Sequence, residues 1–119
     1  MPDLSRQDVI KILAVTEHAR LAGVDLSGLD LNGLNFSGAD LIRTNLSKAN
    51  LKNAYFRGAR MEGVNLDDAN LTGASLREVN LKGASLRRAN LTAAILTDAN
   101  LYEADLQEAI LEQAKDLKG

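Results

Sequence analysis

An all-β solenoid, a chain wound into stacked square coils, is the fold class that this 119-residue sequence predicts. Three observations predict it: an unbroken five-residue period, the failure of that period to suit a helix or a flat sheet, and glycines placed in phase with it. From Arg20 to Leu111 a large apolar residue recurs at every fifth position, as Leu21, Leu26, Leu31, Phe36, Leu41, Leu46, Leu51, Phe56, Met61, Leu66, Leu71, Leu76, Leu81, Leu86, Leu91, Leu96, Leu101, Leu106 and Leu111. Two positions earlier stands a small or apolar residue, most often alanine, as at Ala39, Ala49, Ala54 and Ala59, with Asn or Asp often between the two.

A helix turns ~100° per residue, so a five-residue period would spread the leucines around all its sides. In a straight strand side chains alternate, and an odd period would send successive leucines to opposite faces. The pattern works when the chain turns a corner once per repeat, with Ala and Leu pointing inward and the residue between them outward. With right-angled corners, four repeats close one coil and residues twenty apart stack at the ~4.8 Å spacing of paired strands. The series Leu26 to Leu106 is then the core, and Phe36 stacks on Phe56, with Leu76 and Leu96 continuing the column.

The glycines Gly23, Gly28, Gly33, Gly38, Gly58, Gly63, Gly73 and Gly83 all fall two positions after a central residue, at the corner. A type II turn needs a positive φ there, which glycine adopts without steric cost. The remaining corners carry Arg43, Lys48, Asn53, Asp68, Glu78, Arg88, Ala93, Asp98, Glu103, Glu108 and Gln113. For these a different turn type is expected, with negative φ at Arg88 and Glu103.

These nineteen in-phase Ala-Asn/Asp-Leu-x-x units resemble the pentapeptide repeat proteins. The resemblance implies a right-handed quadrilateral β-helix, here of nearly five coils, and the handedness rests on the resemblance alone.

Both ends of a solenoid need covers. At the amino end Ser5-Arg6-Gln7-Asp8 reads as a capping box followed by Val9, Ile10, Ile12, Leu13 and Val15 at helical spacing, which predicts a helix from about Ser5 to His18. Val24, Leu29 and Leu34, larger than the usual alanine, would floor it. At the other end Leu106, Ile110, Ala114 and Leu117 have helical spacing while the repeat phase fails at Asp116, which predicts a short terminal helix. The organisation expected is thus a capping helix in residues 1–19, a repeat body in 20–113 and a helical end in 114–119.

No cysteine is present, and neither a leader-like apolar stretch nor a run of eighteen apolar residues occurs, so the expected protein is soluble, cytoplasmic and free of membrane contact. Net charge is −2, with residues 1–40 at −3, 41–97 at +5 and 98–119 at −4, and no face of the solenoid accumulates strong charge. Direct nucleic-acid binding is therefore not expected. Arg87 and Arg88 stack over Asp67 and Asp68 as an ion cluster, and Asp30, Asn50, Asn70 and Asn90 form a ladder that serves the corners. One outward group stands apart: Tyr55, in a column with Asn35, Ser75 and Ile95 and flanked by Arg57 and Arg77, is the candidate partner surface.

His18 is the only histidine, the carboxylates are scattered, and no phosphate loop, nucleophile elbow or dinucleotide fingerprint occurs. The reading is of no enzyme, no catalytic residue, no cofactor and no metal. It favours a scaffold or protein-interaction module with an unknown protein partner and self-association through the carboxyl-terminal end. The alternative that the resemblance raises is a DNA mimic that inhibits or protects gyrase or another topoisomerase. A third reading is a structural unit of a larger or designed protein.

Overall fold

The computed structural model describes residues 2–116. Among the described residues the one helix, α1, spans Arg6–Val15. Ser5 starts it through the predicted capping box: Asp8 N–H donates to Ser5 Oγ at 3.1 Å and Ser5 N–H donates to Asp8 Oδ2 at 2.9 Å. The helix ends sooner than the spacing predicts, because Thr16 is extended, with φ −145° and ψ 143°. Its hydroxyl accepts from His18 N–H at 3.3 Å, so Thr16, Glu17 and His18 form a connection to the first coil. Val9 is fully buried, while Val15 lies 84% exposed beyond the face that packs.

From Arg20 onward, parallel bridges join residues twenty apart, from Arg20 with Asp40 to Ile95 with Lys115. Four faces follow, centred on Leu21, Leu26, Leu31 and Phe36 and on the residues stacked beneath each. The coil-to-coil ladder has one form throughout. On the fourth face Tyr55 N–H donates to Leu34 C=O at 2.9 Å, Phe36 N–H to Tyr55 C=O at 2.6 Å and Gly38 N–H to Arg57 C=O at 2.9 Å. Each corner closes on itself, as where Ala39 N–H donates to Phe36 C=O at 2.9 Å. The Asn or Asp before the central residue ties the corner down, since its Oδ1 accepts the amide two residues on, as in Ser27 N–H to Asp25 at 2.9 Å and Thr92 N–H to Asn90 at 3.0 Å.

The interior is a column of apolar layers. Leu26, Leu31, Phe36, Leu41, Leu46, Leu51, Phe56, Met61, Leu66, Leu71, Leu76, Leu81, Leu86, Leu91 and Leu96 are buried, with alanines filling the space between. The rings of Phe36 and Phe56 stack at 5.2 Å between centroids and 8° between planes. Thr44 takes one alanine place and is buried without penalty, because its hydroxyl donates to Leu21 C=O at 2.7 Å.

Two expectations need correction. The non-glycine corners are not of another type: Arg88 has φ 58° and Glu103 φ 61°, within the 57° to 61° range of all of them, close to the 66° to 72° of the glycine corners. At the corners from Arg43 to Ala93 the ladder is the reason. Arg88 N–H must reach Gln107 C=O as Gly83 N–H reaches Tyr102 C=O, both at 2.9 Å, and only one corner shape aims the amide there. Tertiary register holds side chains in a conformation that disfavours them by roughly 1–2 kcal/mol each.

The second correction concerns the carboxyl end. Residues 114–116 continue the coil instead of starting a helix: Ala114 N–H closes a corner on Leu111 C=O at 3.0 Å and Lys115 N–H donates to Ala94 C=O at 2.9 Å. The neighbouring coil satisfies this backbone directly, which removes the advantage of a helix. Residues 117–119 lie outside the described part. Leu101 and Leu106, predicted as core, are only half-buried, because no described coil lies beneath them.

The amino-terminal edge is covered in a way the sequence did not disclose. Asp3 imitates a preceding coil, its N–H donating to Asp25 C=O at 2.6 Å and its Oδ2 accepting Asp25 N–H at 2.8 Å. Arg6 donates from Nη1 to Asp30 C=O at 2.7 Å and from Nη2 to Asn32 C=O at 3.4 Å. His18 Nδ1 lies 3.2 Å from Gly38 C=O. Leu4, Ile12, Leu13, Val24, Leu29 and Leu34 are partly buried against the core that includes Val9. Among the described residues no helix is long and apolar enough to cross a membrane.

Candidate interaction surface

The rule that places Asn or Asp before the central residue fails in isolated coils at Arg20, Arg60, Ser85 and Ile110, and in consecutive coils on the fourth face. There the stacked outward residues are Asn35, Tyr55, Ser75, Ile95 and Lys115. Asn35 keeps the corner bond, accepting Ser37 N–H at 2.9 Å. In the three coils below, Tyr55, Ser75 and Ile95 have no side-chain oxygen placed to do so, and the corner survives on its backbone bonds alone. A local rule abandoned in consecutive coils of one face points to a demand other than folding.

Those residues bring together the whole candidate surface. Tyr55, Arg57, Arg77 and Ile95 surround an open groove of about 410 Å³, with Asn35 and Ser37 at its upper rim and Ser75 between Tyr55 and Ile95. Tyr55 is 53% exposed. Serine between two larger side chains on a ~4.8 Å ladder leaves a notch with an aromatic wall on one side and an aliphatic wall on the other.

The two arginines differ in their engagement. Arg57 Nε donates to Glu78 Oε2 at 2.8 Å, and that bond raises the guanidinium pKa further. Arg77 makes no ion pair among the described residues. Its charge is available at the groove. Glu78 escaped sequence reasoning because it pairs from a corner, twenty-one positions from Arg57, and column stacking considers only intervals of twenty.

The opposite, second face is occupied by its own pairs. Arg88 binds Asp68 through two bonds of 2.9 and 3.2 Å, as stacking predicted. Arg87 instead reaches one coil onward to Asp105 at 2.6 Å, while Asp67 Oδ1 accepts from Ser85 Oγ and from Arg87 N–H. Hydrogen bonding to these arginines holds Asp68 and Asp105 below the usual carboxylate range. Such exposed pairs add little to stability singly. Among the described residues no three His, Cys, Asp or Glu side chains are grouped to hold a metal.

The repeat geometry agrees with known proteins. The family model for pentapeptide repeats matches in eight copies, over residues 19–58, 35–73, 49–88 and 74–113. The chain belongs to the pentapeptide repeat family. A pentapeptide repeat protein of the Arabidopsis thaliana thylakoid lumen is 40% identical with a TM-score of 0.72, over 74% of this chain and 61% of that one. Another, from the cyanobacterium Cyanothece 51142, is 36% identical with a TM-score of 0.44, over 78% and 61%. The plasmid-mediated fluoroquinolone resistance protein QnrB1 is 20% identical with a TM-score of 0.47, over 80% and 59%. The chain thus spans about three fifths of the length of these solved structures. Comparison with curated proteins finds no match.

Proposed function

We propose that this pentapeptide repeat chain is a non-enzymatic scaffold that presents its fourth face to a protein partner. The run of Tyr55, Ser75 and Ile95 carries the reading, because three successive coils forgo the corner-fixing hydrogen bond in favour of side chains that line an open groove. A rigid ladder holds these groups in place, so little ordering entropy opposes docking. The unpaired Arg77 favours a partner that brings a carboxylate beside an apolar side chain for the notch.

Affinity capture with the wild-type chain and with Arg77→Ala and Ile95→Asp variants tests this. The expected result is a protein retained by the wild type and lost from both variants while their melting temperatures stay within a few degrees. Equal capture by all three removes the fourth face from the function.

DNA mimicry is the second reading, and the charge map opposes it. A duplex mimic must set acidic groups along its length, whereas the middle coils carry Arg43, Lys48, Lys52, Arg57, Arg60, Arg77, Lys82, Arg87 and Arg88. The acidic groups Asp98, Glu103, Asp105, Glu108 and Glu112 cluster at one end. Gyrase supercoiling at low salt is expected to be unaffected by submicromolar protein. Full inhibition reversed by neutralising those carboxylates would overturn the scaffold reading.

A further inference from the structure

We infer a strand-addition site at the amino-terminal end of the fourth face, in the cleft between α1 and the first coil, that takes an extended, basic and apolar segment of a partner protein. The cleft measures about 420 Å³, with Ile10, Leu13 and Ala14 of α1 on one side and Leu34, Asn35 and Ser37 on the other. It adjoins the Tyr55 groove through Asn35 and Ser37, yet the inference does not depend on that groove.

The ladder below shows what the edge is built to accept. One coil down, Tyr55 N–H, Tyr55 C=O and Arg57 C=O are all bonded to the coil above. The equivalent groups of the first coil are Asn35 N–H, Asn35 C=O and Ser37 C=O, and among the described residues nothing pairs with them. An incoming segment that offers one carbonyl and two amides in parallel register would reproduce the ladder. The chain already does this for itself on the second face, where Asp3 takes the place of a preceding coil against Asp25. On the fourth face α1 stands back and leaves an apolar-walled slot instead.

Charge selects the occupant. Among the described residues Glu17 is the only charged one lining the cleft. The last turn of α1 contains no basic residue, so the partial negative charge of its carboxyl end is uncompensated. Both favour a lysine or arginine on the incoming strand, with aliphatic side chains alternating towards Ile10, Leu13 and Leu34.

The probe is an acetylated, amidated pentapeptide, Val-Lys-Val-Lys-Gly, titrated to millimolar concentration into the ¹⁵N-labelled full chain. The expected result is a shifted Asn35 amide signal whose hydrogen exchange slows at least about tenfold. Exposed Ala14 replaced by tryptophan (Ala14→Trp) fills the slot and abolishes the response, Glu17→Lys weakens it at least about threefold, and Arg77→Ala leaves it unchanged. An Asn35 amide insensitive to the peptide overturns the site. Equal protection by Val-Glu-Val-Glu-Gly overturns the choice of a basic partner, and a response lost in Arg77→Ala assigns the binding to the Tyr55 groove instead. The spectra of each variant report whether the fold is intact.

Discussion

Replacing Phe56 by alanine is the sharpest test of how the solenoid is held together. Its ring is fully buried and stacks on Phe36 at 5.2 Å and 8°. Burial of a phenylalanine side chain is worth about 1.5–3 kcal/mol, and the residual cavity and the lost ring pair, the latter about 0.5–1.5 kcal/mol, add to that loss. The ladder hydrogen bonds of residues 54–58 to both neighbouring coils prevent collapse onto the void. A loss of about 3–5 kcal/mol is therefore expected, measured by urea denaturation from the shift in midpoint at constant m. Phe56→Leu supplies the control, because leucine fills the same column at Leu76 and Leu96. A double-mutant cycle of Phe36→Leu and Phe56→Leu isolates the ring pair and should give a coupling of about 0.5–1.5 kcal/mol. A loss below about 1.5 kcal/mol for Phe56→Ala would refute the close-packed column, since partial relaxation cannot offset the transfer loss. Zero coupling would refute the stacking contribution.

At the corners, Ala93→Gly at φ 59° should stabilise the chain by up to about 1 kcal/mol, the left-handed strain relieved less the extra chain entropy of glycine. Gly58→Ala, with open space around its Cβ, should lose a similar amount; equal melting curves for both variants would contradict the strain argument. Removal of the Arg6 guanidinium in Arg6→Ala should lower Tm by a few degrees and raise aggregation on heating, because Asp30 and Asn32 carbonyls lose their cover; an unchanged thermal scan would make that cover irrelevant. Asp8, Asp25, Asp30, Asp68 and Asp105 are all held below the ordinary carboxylate range, chiefly by hydrogen bonds from Ser5, Ser27, Asn32, Arg88 and Arg87 respectively. Depressed pKa values add stability above the unfolded-state value of about 3.9 that is lost as pH falls below it, so Tm should drop between about pH 5 and 2 and drop less in Asp68→Asn; a flat profile would contradict the linkage. We further propose that a second copy covers the last described coil, where Ile110 is 45% exposed beside half-buried Leu106 and Leu111; sedimentation velocity should then show dimer that Ile110→Asp disperses, and a monomer at all concentrations would exclude it.

Much of this was legible because a five-residue period admits one economical solution. Once helix and flat sheet are excluded, the turning of a corner per repeat, the inward leucines and the stacking of Phe36 on Phe56 follow from arithmetic on residue positions. The capping box at Ser5 and Asp8 was legible for the same reason, since its partners lie three residues apart. Tyr55, Arg57, Arg77 and Ile95 could be gathered from the twenty-residue register, and the structure sets them around one groove. What remained hidden depends on the meeting of distant backbone. Local preference predicted ordinary φ at Arg88, but the neighbouring coil dictates where its corner amide must point. Local spacing predicted a terminal helix, but the coil edge at Ala94 and Leu96 offers Lys115 its partners first. Arg6, Asp3 and His18 look like ordinary polar residues in the chain, and only the exposed carbonyls and amides of the first coil turn them into its cover. Side-chain periodicity is written in the sequence, whereas the demand of each backbone group for a partner is settled by which coil lies above or below it.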